Sequence, residues 1–571
     1  MKKWIIMCSL FLFAGCSSIT QREVSVQGYN GMITLRVHAQ QGELLAIELM
    51  EHQETEAVVK EPLMRLIDEV IAAQSVEVEV ISGATESCKA VLQGIEKAMS
   101  QMGFSYEEIH RPYTPVIEEK VIKKMQYDVV IVGGGGAGLS AAISAAQHGA
   151  TVALLEKMSE IGGNTVRATA MYNCVDDELQ HPLGIYDSEE IFFQETYEGG
   201  HRKAKPELVR ILTSQADEGK LFLEALGLQF DTVIDNCLGG AHDRGHYSMA
   251  HNGTDYIQVM QRACQQLGVD IYTNTTAYEL LADDGKVYGV EALNGGEVFT
   301  FEALNGVILA SGGFAGNVDM RMRYNHSLTG EMLCSNAPGS NGDGILMAEK
   351  LQASLIGMEY IELYPMGDVY DGGLRNSIPN AINHGILVNR QGERFIREDA
   401  GRDELSAAML AQPKSFAYSI VDDDYSTVSD ERTYLEGLVL MGHVVKADTL
   451  AQLAQLLNVN EATLKASISA YNQAVETQND SLGRQTLINK IDHAPYYASM
   501  KKPTIHHTLG GVEINEQAQV LNQQGNVIEG LYAAGEVTGG IHGANRLGGN
   551  SFPDMIVFGR IAGEQAAMNG E

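Results

Sequence analysis

Residues Tyr127–Lys157 read YDVVIVGGGGAGLSAAISAAQHGATVALLEK, and the fold turns on this stretch. Asp128 to Val132 form a short apolar run that predicts a buried strand. Gly133, Gly135 and Gly138 then give G-x-G-x-x-G. Leu139 to His148 predict a helix of small residues, and Thr151 to Leu155 a second strand ending on Glu156. Glycines let the backbone turn tightly and approach a pyrophosphate on the positive end of the helix. Glu156 stands where an acid meets a ribose hydroxyl. G-x-G-x-x-G alone is a weak signal, and a glycine-rich turn in another α/β unit would leave that acid without a role. The stretch therefore predicts a Rossmann-like α/β dinucleotide site.

Around it lie 571 residues, enough for roughly three or four domains of ~150 residues. The 40 basic and 74 acidic residues give a net charge of −34, which argues against nucleic acid as a partner. Cys88, Cys174, Cys237, Cys264 and Cys334 are scattered without C-x-x-C, so neither a metal site nor a disulfide framework is expected.

Residues 1–16 read as a processing signal: Lys2 and Lys3, then the apolar run Trp4 to Ala14, shorter than the ~20 residues that span a bilayer. Phe13-Ala14-Gly15-Cys16 resembles the lipobox of bacterial lipoproteins, although leucine is more usual where Phe13 stands. That resemblance implies export, lipidation of Cys16 and a lipid tether on the outer face of the cell membrane. The alternative is an ordinary cleaved signal.

Residues 22–102 read as a small α+β domain. Met32 to His38 and Leu44 to Glu51 alternate as strands around Gln41-Gly42. Pro62 to Ala73 predict a helix with Pro62 in its first position, Val76 to Ile81 a strand, and Ser87 to Gln101 a helix. Glu79-Val80-Ile81-Ser82-Gly83-Ala84-Thr85 resembles the motif of FMN-binding domains flavinylated by a dedicated flavin transferase. The resemblance implies covalent FMN on Thr85; the plainer alternative makes Thr85 a helix cap. The family usually has aspartate where Glu79 stands. Residues 103–123 read as a linker.

Further resemblances follow the opening stretch. Ile161-Gly162-Gly163-Asn164-Thr165, Gly306 to Asn317, Gly339 to Gly344 and Leu531 to Ser551 (LYAAGEVTGGIHGANRLGGNS) resemble the flavoproteins that include fumarate and urocanate reductases. The resemblance covers about residues 124–571. It implies a Rossmann-like FAD-binding domain, 124–358 and 506–571, interrupted by an α+β capping domain, 359–505. Non-covalent FAD would then lie against Gly133, Gly135, Gly138, Glu156, Gly163, Asn164, Thr165, Gly312, Gly313, Asp343, Gly511, Glu536, Asn550 and Ser551. Gly239 to His246, GGAHDRGH, is left without a role, a polar loop being as good a reading as catalysis.

Three residues carry the implied chemistry. His507, in His506-His507-Thr508-Leu509-Gly510-Gly511, and Arg546, in Ala544-Asn545-Arg546, resemble the pair that holds a substrate carboxylate. Arg402, in Ala400-Gly401-Arg402-Asp403, resembles the arginine proton donor; taken alone it would read as a surface ion pair. The reaction implied is hydride transfer to the β-carbon of an α,β-unsaturated acid, with Arg402 protonating the α-carbon. An arginine, pKa above ~12, can do this only toward a far more basic carbon, and it must be reprotonated at once.

The departures concern the far end of the substrate. Tyr364-Pro365 stands where fumarate reductases have a histidine before proline; urocanate reductases carry tyrosine there. The fumarate reductase motif T-E-x-x-R falls by spacing on Ser377, Ile378 and Ala381, so its relay acid and arginine are missing. Tyr364, Ser377 and Ile378 are expected to face a less polar tail, aryl or alkyl, unless Arg375 supplies a charge. The expectation is an exported terminal reductase of enoates in anaerobic respiration, fed by a membrane electron-donor system. A ketosteroid-type desaturase and an extracellular flavin carrier are the alternatives; the first has no use for His507 and Arg546, the second none for Arg402.

Overall fold

The computed structural model describes residues 19–28, 31–52, 56–78, 85–111, 123–237, 239–374, 378, 384–428 and 432–569. It divides into two units, Met1–Lys120 and Val121–Glu571.

In the first unit Thr20–Gln27, Met32–Gln40 and Glu43–His52 form an antiparallel sheet in sequence order. Ile33, Leu35, Val37 and Ala39 alternate inward, the period-2 pattern of a strand with one buried face. The helices Glu56–Ala73 and Thr85–Gln101 add Leu63, Leu66, Val70, Val91 and Ile95 to this core. Three expectations are corrected. The first helix begins before Pro62, which lies inside it. Val76 to Val78 form no strand, because the Val76 N–H donates to Ile109 O at 2.9 Å instead. Residues 103–111, read as linker, belong to this unit. A short helix Tyr106–Ile109, capped by Ser105 and Glu108, buries Ile109 in its core. The remainder of the expected linker, 112–122, lies outside the described residues, as do residues 1–18 with Cys16.

The second unit is built on an eight-stranded sheet. Lys123–Val132 pairs in parallel with Val152–Leu155 on one side and Glu297–Leu309 on the other. Val527–Ala533 continues the parallel run beyond Glu297–Leu309. Val129 to Ile131 and Leu154 are fully buried, as parallel strands covered on both faces require. The helix Gly136–Gln147 packs on Ser551–Met568 at very short range. A Cβ at Gly563 would lie 2.3 Å from Ala141 O, so the two backbones approach as only glycine allows. Ser140 and Ser144 hydroxyls donate to Ile556 O and Arg560 O across that contact, at 3.0 and 2.8 Å. These bonds place the C-terminal helix beside the glycine turn.

A five-stranded antiparallel sheet forms the cap region: Ile361–Asp368, Tyr496–Thr508, Ala417–Val421 and Gly385–Val388 in that order, with Val445–Ala447 also on Tyr496–Thr508. Tyr496–Thr508 runs unbroken through the expected domain boundary at 505/506, so the cap and the cofactor domain share a strand. A buried ion network anchors the cap. Glu398, fully buried, accepts from Leu387 N, from Arg394 Nε and Nη2, and from Arg484 Nη1. Arg394 also donates to Asp480 at 2.8 Å. Removing one partner of such a network strands buried charge, so Glu398→Ala is expected to cost about 3–5 kcal/mol, read as a lowered urea midpoint of the holoprotein.

Candidate active site

The strand–turn–helix of the opening stretch lines one open cleft, together with Gly312, Asp343, Glu536 and Ser551 from later in the chain. Gly133 has φ +113°, and a Cβ there would lie 2.3 Å from Ala310 O. A Cβ at Gly135 would meet nothing, and Gly135 offers the helix behind it no side-chain cap, so the N–H groups of its first turn other than that of Gly136 are open to an anion. Glu156 is buried and accepts from Gly134 N at 2.9 Å and Met158 N at 2.8 Å, bracing the turn while it lines the cleft. Thr165 Oγ1 accepts from Gly136 N at 3.1 Å. Asn164 donates to Glu536 Oε2 at 3.0 Å, and Thr508 N donates to Glu536 Oε1 at 3.0 Å. Burial raises the Glu536 carboxyl above its ordinary range. An uncapped helix N-terminus, a bare glycine beside it and a buried acid on the second strand fit FAD.

His506, His507 and Arg546 line the same cleft. Both histidines face it because the strand pairing is irregular there: His507 pairs with Glu362 and Ile505 with Leu363, leaving His506 extra. Such a bulge frees consecutive side chains from strict alternation. His506 Nδ1 lies 2.8 Å from Ser335 Oγ, and His507 Nδ1 lies 4.0 Å from Glu536 Oε2. Burial, with the nearby arginines, pushes His506 down to about 3 and His507 well below its ordinary value, so both are neutral near pH 7.

Glu362 stands at the centre of the basic groups. Arg402 Nη1 donates to Glu362 Oε1, and Arg546 Nη2 lies 2.9 Å from Glu362 Oε2. Arg402 opens the helix Arg402–Leu410, which Ser406 ties to Leu363 O at 3.0 Å. Arg546 comes from a loop pinned to Gly199 O and Gly200 O by Asn545 and Ala544. Burial alone would raise the Glu362 carboxyl, but Arg546 and Arg402 hold it down at about 2. Arg402 Nε and Arg546 Nε are buried and have no hydrogen-bond partner. The Arg402 guanidinium also lies 5.2 Å from the Tyr364 ring centroid, within cation–π range.

Residues 128–552 match the FAD binding domain family, and residues 28–100 match the FMN-binding domain family. The chain belongs to this FAD-binding family. It is 32% identical to an NADH:acrylate oxidoreductase of Vibrio harveyi, over 95% of this chain and 60% of that protein, so it spans less than two thirds of that relative's length. It is 32% identical to a urocanate reductase of Eggerthella lenta, over 95% of this chain and 91% of that protein. The solved open conformation of a flavocytochrome c3 fumarate reductase superposes with a TM-score of 0.67 at 32% identity, covering 82% of this chain and 84% of that one. The FMN-binding match in front makes this a two-flavin member of the family.

Ten of the expected cofactor residues line the FAD cleft: Gly133, Gly135, Glu156, Gly163, Asn164, Thr165, Gly312, Asp343, Glu536 and Ser551. Asp343 does so paired with Lys157. Four expected residues do not line it. Gly138, Gly313 and Gly511 sit where a Cβ would collide with Gly133 O, Thr508 Oγ1 and Val537 O, so they serve close packing behind the cleft. Asn550 is fully buried and accepts from Asn173 while donating to Thr196.

Of the expected substrate residues, Arg402, Arg546 and Tyr364 converge on Glu362, and His507 lines the cleft beside Arg546. Ile378 is a correction: its side chain packs in a core with Val421, Tyr425 and Leu435, and its backbone bonds to Ser499 and Lys501. Ser377 and Arg375 lie outside the described residues, as do residues 79–84 of the flavinylation motif. Of Thr85 the structure describes the backbone at the start of its helix. Arg244 of the unassigned loop is structural, held by Asp187 and Glu195.

Sequence reading missed Glu362 and His506. An ionisable residue in the run Ile361-Glu362-Leu363-Tyr364, two positions before Tyr364 and so on its face, was the available signal for Glu362.

Neutral buried histidines make the fold acid-sensitive. The unfolded chain binds a proton near pH 6.5 that folded His506 refuses down to about 3, so stability present above pH 6.5 is lost across that window as pH falls. Each such group contributes a slope of up to about 1.4 kcal/mol per pH unit. The thermal midpoint of His506→Gln is expected to fall less steeply with acidification than that of the wild type.

Proposed function

We propose that this protein reduces the C=C bond of an α,β-unsaturated monocarboxylic acid. The observation that carries this reading is the charge around Glu362. At Glu362 itself two guanidinium groups meet one carboxylate, beside two neutral histidines, an excess of one positive charge at that contact with two unpartnered N–H donors; Glu536, the next carboxyl in the cleft, lies against His507. One substrate carboxylate balances that charge. A second would be buried without a counter-charge among the described residues, which is costly.

Bound FAD in its reduced form supplies the hydride for the β-carbon. Arg546 takes the carboxylate, and His507, as a neutral donor, shares it and stabilises the charge that develops there. Arg402 holds the proton for the α-carbon. Its place over Tyr364 and against Glu362 fixes the guanidinium, and Gly548 leaves room for it, since a Cβ there would lie 2.8 Å from Arg402 Nη2. The names of the acrylate, urocanate and fumarate relatives support the reaction type. Tyr364, where fumarate reductases have a histidine, supports an uncharged substrate tail.

The rest of the proposal is physiological. Thr85 would hold FMN, esterified there by a flavin transferase, and FMN would offer the entry point for electrons from a membrane donor system; the Cys16 motif supports an exported, lipid-tethered terminal reductase in anaerobic respiration. Among the described residues no helix is long and apolar enough to cross a membrane.

Purified protein carrying both flavins and reduced with a viologen is expected to be reoxidised by acrylate-, cinnamate- or urocanate-type acids, with fumarate at least about tenfold poorer in kcat/KM. Arg402→Ala should lower turnover by about 10²–10⁴-fold. Fumarate as the best acceptor would overturn the monocarboxylate assignment, and no enoate acceptor at all would overturn the reductase. Thr85→Ala should release all FMN on denaturation, where the wild type retains it covalently.

A further inference from the structure

Every turnover leaves Arg402 one proton short, and the acid–arginine relay of fumarate reductases is missing from this sequence. We propose that Glu362 returns that proton, through the hydrogen bond it already shares with Arg402. The inference rests on the reductase reading above.

The groups facing Arg402 are few. Glu362 Oε1 accepts from its Nη1, the Tyr364 ring lies 5.2 Å away, and Nε has no partner. Gly548 comes within a Cβ's reach of both Arg402 and Cys237, and burial raises the Cys237 thiol, so it keeps its proton. Asp403, next in sequence, turns away to His201 at 2.9 Å. Arg546 lies on the other oxygen of Glu362, so it reaches Arg402 only through that carboxylate. His506 and His507 are held neutral by burial and carry no spare proton. Glu362 is thus the one carboxylate hydrogen-bonded to Arg402 among the described residues.

The environment of Glu362 suits the task. In the resting site two guanidinium ions keep it ionised against its burial. Once Arg402 has given its proton to the α-carbon, Glu362 has lost one of those two counter-charges, and burial then favours its neutral form. It takes a proton from water. The carboxyl O–H bond then breaks toward Nη1, an N–H bond forms, and the guanidinium and carboxylate are restored. One proton enters from solvent for each proton placed on carbon, and no electrons move in this step.

The test separates the first proton from those that follow. Glu362→Gln and Glu362→Asp, loaded with both flavins and reduced, are mixed with less than one equivalent of an enoate that reoxidises the wild type. That event uses the proton Arg402 already carries, so whatever Glu362→Gln costs it through lost positioning of the arginines, that loss should be at least about tenfold smaller than the loss in steady-state turnover. Steady-state turnover of Glu362→Gln should fall by about 10²-fold with an enlarged solvent deuterium isotope effect, and Glu362→Asp should recover part of it. Equal losses in both phases would show a structural role and overturn the relay, as would unchanged turnover in Glu362→Gln. If Glu362→Gln loses its flavins, the same phase comparison on Glu362→Asp decides: a slowed steady state alone supports the relay, parallel losses overturn it. A wild type that no enoate reoxidises sinks the reductase reading, a different result from either of these.

Discussion

A carboxylate buried between two guanidinium groups holds three separate parts of this chain at one point. Glu362 belongs to a cap strand, Arg402 to the first turn of a helix, and Arg546 to a loop of the cofactor domain. No one of these charges is tolerable there alone, since an isolated ion out of water costs several kcal/mol. Strand, helix and loop must therefore arrive together, and the site closes only when the cap and the cofactor domain are both folded. The shared strand Tyr496–Thr508 enforces the same condition covalently: it pairs with three cap strands and carries His506 and His507, near its end, into the FAD cleft.

Behind that point the cofactor domain does the positioning. The helix Gly136–Gln147 must present its N-terminus to the cleft, and it is held there by a helix from the far end of the chain. Small residues allow that contact, and serine hydroxyls fix its register through backbone carbonyls. The helix Ser551–Met568 follows directly on the loop that carries Arg546. The contact that places the anion-binding helix therefore also places the arginine.

Much of this was readable from the residues, and the part that was not has a physical reason. Gly133, Gly135 and Glu156 announced the cleft because a tight turn, a bare backbone and a terminal acid form a local pattern. Gly138, Gly313 and Gly511 carried the same glycine signal for another cause, backbone packing, which sequence spacing does not distinguish from ligand contact. Ile378 was placed by counting from Arg402, and counting through a loop does not say which way a side chain turns; its apolar character took it into the cap core. Glu362 was passed over because its meaning depends on two arginines 40 and 184 positions away. His506 was missed because alternation assigns neighbours to opposite faces, and only a bulge brings both to one side. Short-range periodicity reads elements; it cannot read their meeting points.

Two buried glutamates show what separates a structural ion network from a working one. Glu398 has both oxygens filled by aligned donors from Arg394, Arg484 and a backbone N–H, and the two guanidinium groups also donate to Asp480, Gly385 O and Thr486 O. That network is closed, and its contribution is rigidity in the cap. Glu362 likewise contacts two arginines, yet Arg402 Nε and Arg546 Nε are left buried and unpaired, and Arg546 meets it as an ion pair without an aligned hydrogen bond. Unmade bonds of that kind cost about 1–3 kcal/mol each, so they persist where something else completes them. A carboxylate arriving beside Arg546 would supply the missing acceptor and the missing charge in one step.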